Sequence, residues 1–212
     1  CNNMEGEWEI VNSGGNGGAW VGGETNQEIK AIFIGLGNIL DGEEINNLML
    51  EHEYAHIYQL SFLLEKAFDQ IGDGEGDMAC WLLEGFVEYY ALRFAAHKGS
   101  IIFDDMMREL LEEIFYLPNK ELSYSETYDG FNNALSVWAV AYLVYRSGMN
   151  IVYRDFTILA YEIGWKHAFN ELFGMSVEDF YIAYSHFLTL SVDKKLAILP
   201  THINLNNTLC SP

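Results

Sequence analysis

Apolar residues recur along this chain at helical spacing over most of its length, and at strand spacing only near its start. Ile45, Leu48, Met49, Leu50, Leu60, Leu63, Leu64 and Phe68 mark one face of a helix predicted over roughly 43–69. Leu82, Leu83, Phe86, Val87, Tyr90 and Phe94 predict a second helix over about 78–97, apolar enough to be largely buried. Ile101–Leu117 reads as an amphipathic helix stopped by Pro118-Asn119, followed by an irregular, tyrosine-rich segment, Asn119–Gly130, expected to close over a cleft. Phe131–Ser147 is a strongly apolar helix ending at Gly148. Phe156–Ile163, Trp165–Phe173 and a helix from Ser176 complete the set, separated by Gly164 and Gly174. The last opens on Ser-Val-Glu-Asp, which reads as a capping box.

The strand signals lie within 1–40. Trp8-Glu9-Ile10-Val11 and Ile29–Leu36, the latter carrying Ala31-Ile32-Phe33-Ile34, read as short strands around a glycine-rich stretch, Ser13–Gly23. The expected fold class is α+β, mainly α. The 212 residues, half of them hydrophobic, suit one domain with ample core. Its parts are a β portion over 1–40, two helices within 43–97, a helical subdomain over 100–190 and a tail over 191–212.

The chemistry is concentrated in the first two helices. Glu51-His52-Glu53-Tyr54-Ala55-His56 contains His-Glu-x-x-His, and on a helix positions i and i+4 share a face, so His52 and His56 can point at one ion. Glu53, beside them, can take a proton from a metal-bound water, the general-base role in a zinc hydrolase. Such a site needs a third protein ligand and an open fourth position. Glu84, with 27 residues between it and His56, lies within a very apolar helix, where a carboxylate is costly unless paired or metal-bound. Glu88, one turn on, can accept a hydrogen bond from the outer nitrogen of a ligating histidine. The plainer alternative is that two histidines fill a helix face and two glutamates form a solvated stripe.

His-Glu-x-x-His followed by Trp81-Leu82-Leu83-Glu84-Gly85-Phe86-Val87-Glu88-Tyr89 resembles the gluzincin branch of zinc metallopeptidases. The likeness is to its compact, catalytic-domain-only members and covers roughly 30–190. The resemblance implies a zincin-like domain holding one Zn2+ per chain through His52, His56 and Glu84, with Glu53 as base and Glu88 as the acidic residue behind a ligand. It also implies a strand upstream of the zinc helix that binds an extended peptide by strand addition, an edge the glycine-rich stretch would line unless it is a surface loop. The chain departs from the aminopeptidase pattern. Gly22-Gly23-Glu24-Thr25-Asn26 lacks the methionine of the amine-binding segment, which leaves endopeptidase action the better match. Family members supply a tyrosine or histidine to stabilise the oxyanion. Tyr124 and Tyr128 are the candidates here, while Asn132 and Asn133 stand where compact relatives often carry that tyrosine.

Charge narrows the partners. Thirty-one acidic residues against 11 basic ones leave a net charge of −20, which opposes binding to nucleic acid or anionic membranes. The partner that the resemblance implies is a peptide or protein substrate, and no apolar run is long enough to span a membrane. Cys1-Asn2-Asn3 fits a lipoprotein-type N-terminus of an extracellular or cell-envelope protein, and equally a chain trimmed at an arbitrary point. Cys1 and Cys210 can pair only if the termini meet, and Cys80 reads as a buried thiol. Gly72–Asp77 superficially resembles a calcium loop but lacks the closing glutamate, so it reads as an acidic turn. His97 reads as a helix-terminus cation, and His167 and His186 as partly buried core histidines. The expected function is zinc-dependent peptide-bond hydrolysis. The rival expectation is a catalytically silent zincin-fold protein that binds peptides or proteins.

Overall fold

The computed structural model describes residues 78–200, the helical residues Leu48, Glu51, His52, Tyr54, Ala55 and His56, and the backbone of 19–22 and 31–34. Among these the chain is mainly helical. Two short strands, β1 (Ala19–Gly22) and β2 (Ala31–Ile34), pair antiparallel with Ala19 opposite Ile34. β1 thus falls inside the stretch expected to turn. The expected strand at 8–11, the 72–77 loop and both terminal cysteines lie outside the described residues.

The core is built around two helices that are apolar on nearly every side, α1 (Cys80–His97) and α3 (Asn133–Ser147). In α3 every residue from Ala134 to Ala141 is buried, which places this helix at the centre of the molecule. The pair packs closely because residue 85 has no side chain: a Cβ there would stand 2.8 Å from the Ser136 carbonyl oxygen. Any other residue would push the two helices apart.

Amphipathic helices cover this pair. α2 (Phe103–Tyr116) turns Phe103, Met107, Leu110, Leu111 and Ile114 inward, a spacing of four, three, one and three that keeps one helical face. α4 (Phe156–Ile163), α5 (Trp165–Phe173) and α6 (Val177–Leu188) bring in an aromatic cluster. There Trp81 stacks on Phe180 at 5.4 Å between ring centroids, and Phe156 and Phe169 meet edge to face. A π-helical turn, Ile151–Asp155, leads directly into α4, so this helical stretch begins earlier than its apolar pattern indicated. The buried Tyr153 of that turn donates its hydroxyl to the Phe86 carbonyl of α1. A final short helix, α7 (Val192–Leu196), precedes the buried Leu199 in what read as a tail.

Helix ends follow local chemistry. Asn132 caps α3 by accepting from the Leu135 amide at 3.0 Å. Ser176 caps α6 through the Asp179 amide, and Gly174 closes α5 at φ 66°, a left-handed conformation that glycine adopts without strain.

Two expectations need correction. His167 and His186 are exposed, not partly buried. On α5 the buried stripe is Trp165, Ala168, Phe169 and Phe173, and on α6 it is Val177, Phe180, Tyr184 and Phe187, so both histidines fall off the stripe. The 119–130 segment is not irregular throughout. It forms two 3-10 turns, Leu122–Glu126 and Tyr128–Gly130, joined by a bond from the buried Ser125 hydroxyl to the Gly130 carbonyl.

Candidate metal centre

Glu84 and Glu88 sit one turn apart on α1, and the histidine residues face them with reversed chain direction. His56 lies by Glu84, while His52 reaches both Glu84 and Glu88. Ala55, on the other side of the same turn, is fully buried in the core and Leu48 packs partly against it. The apolar side of this segment thus docks on the core while its imidazoles face the carboxylates.

Three donor atoms converge. His52 Nε2 and His56 Nε2 are 3.2 Å apart, and Glu84 Oε2 lies 3.3 Å from the first and 3.5 Å from the second. Donor atoms about 2.0–2.2 Å from a tetrahedral zinc stand about 3.3–3.6 Å from one another. The observed edges, 3.2, 3.3 and 3.5 Å, come within about 0.1 Å of this range or fall inside it, and among the described residues His52, His56 and Glu84 form the one such group of His, Cys, Asp or Glu. The residues therefore fit a tetrahedral divalent cation with one position left open.

The hydrogen bonds around the triangle point the same way. His52 Nδ1 lies 2.9 Å from Glu88 Oε2, a contact in which the ring nitrogen donates to the carboxylate. With its proton on Nδ1, the neutral ring presents a lone pair at Nε2 toward Glu84 Oε2, itself an acceptor. Two acceptors 3.3 Å apart are held together by a proton or a metal: a second proton on this ring, the Nε2 proton of His56, or a cation in the triangle. The acidity of His52 reflects this. Burial disfavours its charged form, but hydrogen bonds that it donates to Glu84 and Glu88 outweigh it and raise its pKa from 6.5 to about 9. Burial likewise works against the charged Glu84, and hydrogen bonds from the two histidines reverse the balance, holding the carboxyl well below the usual range.

The other oxygen of Glu84 is also taken. Tyr128, on the second 3-10 turn, donates its hydroxyl to Glu84 Oε1 at 2.9 Å. Burial of that hydroxyl and the adjacent carboxylate keep Tyr128 protonated far above the usual phenol range. Tyr124 is different: its ring is 62% exposed, and no hydrogen bond or ring contact among the described residues joins it to the cluster. Glu53, the expected base, lies outside the described residues. Cys80, one turn before Glu84, is buried. Burial and then the Glu84 charge push its thiol up to about 12, so it stays a thiol beside the triangle.

Three features on or beside α1 had no signal in the sequence. Glu51, next to His52, faces Lys98 at 3.9 Å beyond the end of α1, and burial raises its pKa against the pull of that lysine. The turn preceding Tyr128 is anchored from behind: Trp81 donates to the Tyr181 hydroxyl at 3.1 Å, and Tyr181 donates to Glu126 at 2.7 Å. These partners are 100 and 55 residues apart in the chain, too far for any periodicity to connect. The third is Arg93, buried on α1, whose Nε has no hydrogen-bond partner among the described residues.

No helix among the described residues is long and apolar enough to cross a membrane. In comparisons with family models, curated proteins and solved structures, no match to this chain is found, so its function has to be argued from this geometry.

Proposed function

We propose that this chain is a zinc-dependent metallopeptidase with a zincin-like α+β domain of the compact gluzincin type, cleaving peptide or protein substrates internally. The observation that carries the reading is the triangle of His52 Nε2, His56 Nε2 and Glu84 Oε2, with edges of 3.2, 3.3 and 3.5 Å. Its size matches the spacing of donors around a tetrahedral zinc, and one position is left for water. The expected base stands next in sequence to one of the three.

In this reading His52, His56 and Glu84 hold the metal. Bound zinc supplies a Lewis acid that acidifies a water molecule and polarises the scissile carbonyl. Glu53 takes the proton from that water and passes it to the leaving amine. Glu88 fixes the His52 tautomer and ring orientation through the Nδ1 bond. Tyr128, whose hydroxyl stays protonated at the rim of the triangle, is the tyrosine able to donate to an oxyanion. Tyr124 is the second candidate for that role. The β1–β2 ribbon is the edge along which an extended peptide would add.

The test joins metal content with turnover. The wild type should hold about one zinc per chain and cleave unstructured peptides. Glu84→Ala should lose the metal. Glu53→Gln should keep it while turnover falls by about 10²–10⁴-fold, the usual contribution of a general base. Full activity in Glu53→Gln would remove the assigned base. Zinc uptake without any cleavage by the wild type would favour the silent, peptide-binding alternative.

A further inference from the structure

The two oxygens of Glu84 have different partners. Oε2 completes the triangle with the histidine nitrogens, at 3.3 and 3.5 Å, while Oε1 accepts the Tyr128 hydroxyl at 2.9 Å. A carboxylate that chelates a cation through both oxygens must present both to the same centre. One that keeps a firm hydrogen bond on its outer oxygen presents one. We infer that Tyr128 is a positioning residue that holds Glu84 to a single ligating oxygen, an inference that rests on the metal-site reading above.

The surroundings of Tyr128 support this role, because its turn is built to stay in place. Behind it the Ser125 hydroxyl, buried with its residue, binds the Gly130 carbonyl at 3.0 Å. Gly130 itself has no room for a Cβ, which would overlap the Tyr124 carbonyl oxygen. The preceding turn is held to α6 and α1 through Glu126, Tyr181 and Trp81. On the far side, two residues on, Asn132 caps α3, the helix packed directly against α1 at Gly85. The backbone that carries Tyr128 is therefore held in place, and the bond to Glu84 is the contact that orders its exposed side chain.

One oxygen rather than two has a chemical consequence. Two histidines and a one-oxygen carboxylate leave a tetrahedral cation its fourth position for water or a substrate carbonyl. A second carboxylate oxygen would compete for that position. Tyr128 would then act through Glu84 while its one hydroxyl proton stays on Oε1, and donation to an oxyanion would require that bond to break.

The experiment is X-ray absorption of the zinc-loaded wild type and of Tyr128→Phe, with zinc affinity measured by chelator competition. Tyr128 is 63% exposed, so removing its hydroxyl leaves the fold in place. The expected result is four light donors around zinc in the wild type and five in the variant, the extra one a longer zinc–oxygen distance. Affinity should also change by about tenfold, within the range for residues that orient ligands. An unchanged coordination shell in Tyr128→Phe overturns the inference, even if kcat falls, because that pattern belongs to an oxyanion donor alone. A wild type that takes up no zinc overturns the metal-site reading itself, which distinguishes that failure from this one.

Discussion

Two charged side chains, the partly buried Glu84 and the buried Arg93, lie on opposite faces of α1, and their surroundings could hardly differ more. Glu84 and Arg93 are nine residues apart, which at 100° per residue turns them to opposite sides of the helix. Glu84 meets two imidazoles and a phenol, with a contact for each oxygen. Arg93, 7% exposed, meets the Tyr89 ring at 5.9 Å and the Met149 sulfur at 3.4 Å. Among the described residues no carboxylate pairs with it. A buried charge is tolerated only where polar groups replace the water it has lost. On one face of the helix these groups have been assembled around an acid. On the other a cation is held by the Tyr89 side chain and a thioether, with its Nε left without a partner among the described residues. The first arrangement is dense enough to be a site, and the second is a local cost to folding.

The comparison can be broken at either end. The largest effect is expected on the acidic face. Glu88→Ala should leave the triangle intact but free the His52 ring, weakening zinc binding by about 10–100-fold, as chelator competition would show. An unchanged affinity would mean that Glu88 is a bystander.

A pH series on the metal-free protein comes next. His52 titrates near 6.5 when unfolded and at about 9 when folded, so the extra proton stabilises the folded state fully below pH 6.5. That stabilisation, about 2 kcal/mol after allowing for partial solvent contact, should disappear as pH rises from 6.5 to 9. Denaturant melts across that range would show the decline. With zinc bound the ring is already deprotonated, so the same decline should be absent.

The smallest effect belongs to the basic face. Arg93→Met replaces a buried guanidinium whose Nε has no partner among the described residues with an apolar chain of similar length, and should raise stability by about 1 kcal/mol without changing zinc affinity. A loss of stability would show that the ring and thioether satisfy Arg93 better than their chemistry suggests.

Much of the acidic face was legible in the sequence because it obeys short-range rules. His52 and His56, and likewise Glu84 and Glu88, are four apart, and helical spacing alone puts each pair on one side of its segment. The apolar runs located α1, α2 and α3 to within a few residues, since a helix buried on all sides needs little else to be recognised. What stayed hidden depends on contacts between distant parts of the chain. Nothing near Tyr181 in sequence points to Glu126 or Trp81, and nothing near Arg93 shows that it would be left without an acid. The exposure of His167 and His186 was misread for a related reason. Apolar neighbours in sequence lie on either side of a helical residue, whereas the core takes only those in phase with its own face.

Gly85 carries a consequence for the residue before it. The contact between its Cα and the Ser136 backbone works as a gauge, setting how far α3 stands from α1. The turn bearing Tyr128 runs straight into the cap of α3, so the same gauge sets the reach of that hydroxyl to Glu84. A hydrogen bond of 2.9 Å tolerates a displacement of only a few tenths of an ångström before it weakens. A single methyl group added at position 85 would therefore act as a wedge, and an apparent lesion in the ligand shell would originate in the distance between two helices.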